Sequence, residues 1–155
     1  MAIKDIPTKF FLVAGKGDSE YRLNAFDMAL LDAGVGNTNL VKLSSILPPR
    51  CREISPVKFN LGELISIAYA SMISTIKGEI IAAAVAVAIP EDENLNGLIM
   101  EHSGPGTAEE IESIVRKKAE LGMKYRNYKI KEIKSISIEH TTEDIGAVFA
   151  GAVLL

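Results

Sequence analysis

The sequence predicts an α+β fold built mainly from antiparallel sheet, and three observations carry that expectation. Strand-like runs follow one another through links too short for crossover helices. Only two stretches have helical periodicity. Several strand runs are apolar on both faces, which calls for a covering layer on each side and fits two sheets stacked between helices. With 155 residues, 48% of them hydrophobic, one domain spanning residues 1–155 can bury such a core.

Taken in order, Lys9–Ala14 reads as a buried strand stopped by a Gly15-Lys16-Gly17 turn. A helix follows over Ser19–Ala33, with Asp18 or Ser19 to cap its start and Gly34 and Gly36 to end it. Its inward stripe is Leu23, Phe26, Asp27, Leu30, Leu31 and Gly34. Thr38–Leu47 reads as a strand ended by Pro48-Pro49. Leu64–Ser74 alternates, with Ile65, Ile67, Tyr69, Ser71 and Ile73 on one side. Ile80–Ile89, rich in Ala and Val, is a strand covered on both faces, and Lys77-Gly78-Glu79 suits a hairpin before it. Gly97–His102 is a further strand. Thr107 and Glu110 form a capping box that opens a helix running to about Gly122, with Ile111, Ile114, Val115 and Lys118-Ala119 on its apolar face. Ile130–Glu139 alternates strictly, Thr141–Asp144 turns, and Ile145–Leu154 closes the chain as a strand.

Composition excludes several function classes. A net charge of −3 with scattered basic residues gives no footprint for nucleic acid. Cys51 is the single cysteine, so neither an intrachain disulfide nor a cysteine-rich metal site is available. His102 and His140 have no metal-ligand spacing, and no metal is expected. Met1–Pro7 lacks an export pattern. The apolar runs Ile80–Ile89 and Ile145–Leu155 fall short of the ~20 residues a spanning helix needs. The expectation is a cytoplasmic protein with no membrane partner.

Four places could carry chemistry. A peptide bond that enters a serine can be attacked by that serine's hydroxyl, so Ser45 Oγ could attack the Ser44 carbonyl in a strained loop. A nearby amide such as Asn39 could donate to the developing oxyanion. Elimination from the resulting ester, then hydrolysis, leaves a pyruvoyl group where Ser45 stood. The ordinary alternative is a serine pair at a strand end. Asp27 is a carboxylate on an apolar helix face, which calls for a cationic partner such as a ligand's guanidinium or ammonium; a solvent-facing position is the alternative. Glu101 ends Gly97-Leu98-Ile99-Met100, and apolar surroundings would suit it to proton donation, unless it is a solvated strand end. Gly15-Lys16-Gly17 before a helix could also be a phosphate turn, although it lacks the full nucleotide-binding pattern.

Leu23-Asn24-Ala25-Phe26-Asp27, Gly36-Asn37-Thr38-Asn39-Leu40, Ser44-Ser45-Ile46-Leu47-Pro48-Pro49, Gly97-Leu98-Ile99-Met100-Glu101 and Glu139-His140-Thr141 occur in this order and spacing. Together with the Ala-rich C-terminal strand they resemble the pyruvoyl-dependent arginine decarboxylase family over nearly the whole chain. The resemblance implies a four-layer αββα sandwich and cleavage between Ser44 and Ser45 into a β chain, 1–44, and an α chain, 45–155, headed by a pyruvoyl group. It implies trimers with active sites between protomers, alone or in pairs. It assigns processing assistance to Asn39, guanidinium binding to Asp27, proton donation to Glu101, and pocket lining near the substrate to Leu30 and Ile46.

The activity so implied is conversion of L-arginine to agmatine and CO2, feeding polyamine synthesis. The pyruvoyl ketone would form a Schiff base with the substrate amine and accept the electrons released on decarboxylation, with no need of pyridoxal phosphate. Two alternatives stay open: an unprocessed relative acting as a binding or structural subunit, and a pyruvoyl decarboxylase of another amino acid. His102, next to Glu101, could alter the donor's surroundings.

Overall fold

The computed structural model describes residues 5–155; the first four residues of the expected 1–44 chain, and most of the Met1–Pro7 stretch read for an export signal, lie outside them. The described chain runs β1 (Lys9–Ser19), α1 (Arg22–Asp32), β2 (Asn39–Lys42), β3 (Ile46–Leu47), β4 (Arg52–Glu53), β5 (Leu64–Ser74), β6 (Ile80–Pro90), β7 (Gly97–Pro105), α2 (Ala108–Tyr125), β8 (Ile130–Thr141) and β9 (Ile145–Leu154). One sheet has the order β2-β5-β9-β1-β4 and the other β3-β7-β6-β8. Pairing is antiparallel except for the short parallel pairs β1–β4 and β2–β5.

The layers follow from strand alternation. In β6, Ile81, Ala83, Val85 and Val87 face the other sheet, while Ala82, Ala84, Ala86 and Ala88 lie under α2 with Ile111, Val115, Ala119 and Met123. In β9, Val148, Ala150, Ala152 and Leu154 face between the sheets, and Ala147, Phe149 and Val153 face α1. The order is therefore α1, first sheet, second sheet, α2: the α+β sandwich of the expectation. Small residues sit under the helices because a helix rides close to a strand only where side chains are short.

That rule corrects the first helix. Gly15-Lys16-Gly17 is neither a turn nor a phosphate cradle; it is the second half of β1, paired with Phe149, Val148 and Ala147. The glycines are a track for α1: a Cβ on Gly15 would lie 2.1 Å from the Ala29 carbonyl oxygen, and one on Gly17 2.6 Å from that of Ala25. Ala25 and Ala29 are consequently the buried residues of the helix. Leu23, at 76% exposure, and Leu31, at 49%, face outward, and so does Asp27. The inward stripe is thus rotated from the expected one.

The helix also starts later than expected, at Arg22, with no side-chain cap at Tyr21. Asp18 is engaged elsewhere: it accepts from the Glu143 and Asp144 amides at 2.9 and 2.8 Å and meets His140 Nε2 at 2.7 Å, clamping the β8–β9 turn. Those donors together outweigh burial and hold its carboxyl below the usual aspartate range. At the other end, Gly34 (φ 82°) ends the helix as expected, with Val35 N on Leu30 O and Gly34 N on Leu31 O, a Schellman arrangement. The Thr107–Glu110 capping box at α2 is present in both directions. Ile114, expected on the apolar face of α2, is 40% exposed.

Two expected links are also redrawn. Lys77-Gly78-Glu79 does not close a hairpin, because β5 and β6 belong to different sheets; the link crosses the sandwich, as does the β8–β9 turn. A fully buried strand such as β6 is more stable at the centre of the second sheet, between β7 and β8, than beside β5. Thr38–Leu47 is likewise not one strand. It breaks after Lys42 and resumes at Ile46 in the other sheet.

Candidate active site

The break in that segment places the serine pair. β2 and β3 are each the edge strand of their sheet, and Leu43-Ser44-Ser45 is the span that joins them. Both sides are tethered. Leu43 N donates to Ile67 O of β5 at 2.9 Å, and the Ser45 carbonyl accepts from Ile99 N of β7 at 2.8 Å. The Ser44–Ser45 peptide therefore lies between two fixed points, one in each sheet. Positive-φ strain is not what marks it: Arg50 and Asn127 are the non-glycine residues in that region among those described.

Glu101 lies on the same strand that holds the Ser45 carbonyl, two residues beyond Ile99, so it shares the inter-sheet face with Ile99 about 7 Å further along. Ser103, on that face too, donates to Ser71 O of β5 at 3.1 Å. Oε2 of Glu101 is buried and has no hydrogen-bond partner among the described residues. Burial pushes this carboxyl above the usual glutamate range, while Lys42 and then Lys118 pull it back. An unpartnered buried carboxyl is more stable protonated, the state from which a proton can be given.

His102 points the other way, toward α2. Lys118 Nζ lies 2.8 Å from His102 Nδ1. An ammonium can only donate, so Nδ1 accepts and the imidazole is neutral with its proton on Nε2. Burial and the Lys118 charge both lower its pKa, which favours the neutral ring.

The other expected site residues stand apart from this cluster within one chain. Asn39 opens β2, on the order of 15 Å of extended strand before Ser44. Its side-chain amide donates to Gly62 O at 3.0 Å. Asp27 and Leu30 lie on α1, outside the first sheet, where they line a shallow depression of about 350 Å³ with Leu23, Asn24 and Phe26. Ile46 follows the crossing and is 46% exposed. Ser44, Ser45 and Glu101 are thus brought to one crossing; Ile46 follows it on the face it shares with Leu98, toward α2, and Asn39, Asp27 and Leu30 stand apart.

Sequence reasoning passed over Lys42 and Tyr69. Lys42 Nζ sits 4.6 Å from the centroid of the Tyr69 ring, which packs on Phe149 at 5.0 Å. A lysine in a strand reads as solvated; the available signal was its place three residues before Ser45. Among the described residues, no group of His, Cys, Asp or Glu could hold a metal ion, and no helix is long and apolar enough to cross a membrane.

A carboxyl pushed above its ordinary acidity, on the strand that holds the Ser45 carbonyl at the junction of two sheets, is a candidate catalytic group, since groups so displaced gather where chemistry is done. Comparison with known proteins makes the class particular. The sequence model of pyruvoyl-dependent arginine decarboxylases matches residues 9–155. A protein of that name from Methanococcus maripaludis is 49% identical over 150 residues, covering 97% of this chain and 92% of its own. The one from Methanocaldococcus jannaschii is 46% identical over 149 residues (96% and 90%), and that from Pyrococcus abyssi 42% over 151 (96% and 95%). The chain belongs to the pyruvoyl-dependent arginine decarboxylase family.

Proposed function

We propose that the chain cleaves itself between Ser44 and Ser45, carries a pyruvoyl group at position 45, and decarboxylates L-arginine to agmatine and CO2. The observation that carries this reading is the tethered crossing beside Glu101. The residues present fit a pyruvoyl group. The carbonyl of residue 45, which such a group keeps, already accepts from Ile99 N, and Glu101 presents a carboxyl oxygen with no competing partner among the described residues. The group supplies a ketone that condenses with an amine and draws off the electrons freed when CO2 leaves.

The protein's own residues do the rest. Ile99 N–H polarises the residue-45 carbonyl, so charge developing on that oxygen meets a fixed donor. Glu101, whose carboxyl burial shifts toward the protonated form, delivers the proton to the substrate carbon. Two fixed tethers hold the Ser44–Ser45 peptide for attack by Ser45 Oγ, which gives a β chain 1–44 and an α chain 45–155 from one domain.

Asp27, Leu30 and Asn39 serve the crossing of an adjoining copy, in trimers that are single or paired. Two observations support this: these residues lie away from the crossing in their own chain, and the Asp27 helix exposes Leu23, Met28 and Leu31. Asp27 then pairs with the guanidinium, Leu30 and Ile46 line the pocket, and Asn39 assists processing.

Intact-mass measurement of the purified protein tests the first step. Two chains divided after Ser44, the larger bearing a pyruvoyl terminus, are expected, together with agmatine formation from arginine. One full-length chain with no turnover would favour an uncleaved binding subunit. Asp27→Asn should raise KM for arginine about tenfold or more, the loss of a charge-assisted pair, with cleavage unchanged. Unaltered kinetics would remove Asp27 from substrate binding and reopen the choice of amino acid.

A further inference from the structure

The strand β2 accompanies β5 only as far as the Lys42–Ile67 pair, whereas β5 runs on to Ser74. Beyond Ile67 that edge of the first sheet is open, and β7 of the second sheet meets it there through two links. The first is the crossing itself, with Leu43 N on Ile67 O and the Ser45 carbonyl on Ile99 N. The second is a side chain: Ser103 Oγ donates to Ser71 O at 3.1 Å, the one direct hydrogen bond between β5 and β7 among the described residues. Ser71 stands four residues beyond Ile67, and Ser103 four beyond Ile99, so the links are about 13 Å apart along both strands. The matching offset has a backbone cause. Carbonyls an even number of residues apart leave a strand on the same side, so Ser71 O, like Ile67 O, points away from β9 and toward the open edge.

Glu101 lies midway between Ile99 and Ser103. In β6 it pairs with Val85 and Ser103 with Ala83, both of which face between the sheets. The two links therefore frame Glu101 at this edge, while apolar packing holds the sheets together further in, where β6 and β9 face each other. Cleavage after Ser44 removes one side of the frame. Leu43 stays with β5 and residue 45 stays with β7, but no covalent bond spans them. We infer that Ser103 is a positioning residue of the cleaved enzyme: its bond to Ser71 O keeps β7, with Glu101 and the residue-45 carbonyl, in place against β5 once the crossing is cut. This rests on the reading that the chain divides between Ser44 and Ser45.

The consequence differs between the two forms of the chain. In the uncut chain the peptide spans the same gap, so the hydroxyl is redundant. In the cleaved chain it is the remaining hydrogen-bonded link, and its loss should let the edge open about fivefold more often, the effect of one ordinary hydrogen bond.

The test is Ser103→Ala in two backgrounds, the parent protein and the uncut Ser45→Ala variant, read by amide hydrogen exchange of the segment 97–103. In the cleaved parent background exchange should quicken about fivefold, and kcat for arginine should fall by a similar factor with KM little changed. Ser103→Thr, which keeps the hydroxyl, should restore both. In the Ser45→Ala background the same substitution should leave exchange as it was. A hydroxyl that merely stabilises the fold would quicken exchange equally in both backgrounds, and that result would overturn the positioning role. So would an unchanged kcat in Ser103→Ala protein shown by mass to be cleaved. If the parent protein itself proves uncut, the cleavage reading fails first and this inference falls with it.

Discussion

Ser45→Ala should give a single uncleaved chain with no arginine decarboxylase activity and an unchanged fold. Position 45 supplies both the attacking oxygen and the carbon skeleton of the group formed, and alanine offers neither. The fold should survive because the tethers at this point are backbone bonds, Leu43 N to Ile67 O and Ile99 N to Ser45 O, which alanine keeps. The loss is complete rather than graded, unlike that from removing a single assisting group. Intact mass and far-ultraviolet circular dichroism check the two halves; a chain that still divides after position 44 would refute attack by this serine.

Glu101→Gln should cleave normally yet turn over about 10²- to 10⁴-fold more slowly, the range for removal of a positioned general acid, which corresponds to about 3–5 kcal/mol of barrier. Glutamine is nearly isosteric and keeps a polar group at the end of the pocket, so substrate binding should change little. A kcat effect without a matching KM effect is the expected signature. Turnover at the normal rate would mean that another donor serves. His102 is poorly placed to do so, since it faces α2 and its Nδ1 accepts from Lys118.

Much of the fold was legible because burial imposes periodicity. β6 read as a strand covered on both faces and β9 as an apolar closing strand, and both lie sandwiched between a helix and the other sheet. The capping box at Thr107 and the ending at Gly34 are local chemistry, and local chemistry survives folding. The misreadings share one cause. Gly15-Lys16-Gly17 carries turn residues, but glycine also serves where another backbone comes close, and only the position of α1 distinguishes the two uses. Once the glycine track is known, the exposure of Leu23, Asp27 and Leu31 follows. Short links were read as hairpins because a sequence does not say whether two neighbouring strands share a sheet.

The site divides in the same way. By itself the sequence determined which residues are chemically out of place: a serine pair, a glutamate at the end of an apolar run, and an aspartate among leucines. Composition also set an apolar, two-sided core that requires α+β layering. Only the tertiary structure decided their neighbours. It put Ser44-Ser45 in the span between two edge strands, tied the residue-45 carbonyl to Ile99, and left Glu101 Oε2 buried without a partner among the described residues. It also moved Asp27 to an outer surface and seated Lys42 on Tyr69. Residue type and spacing are fixed along the chain, whereas acidity, tethering and reach depend on what long-range packing brings within a few ångströms.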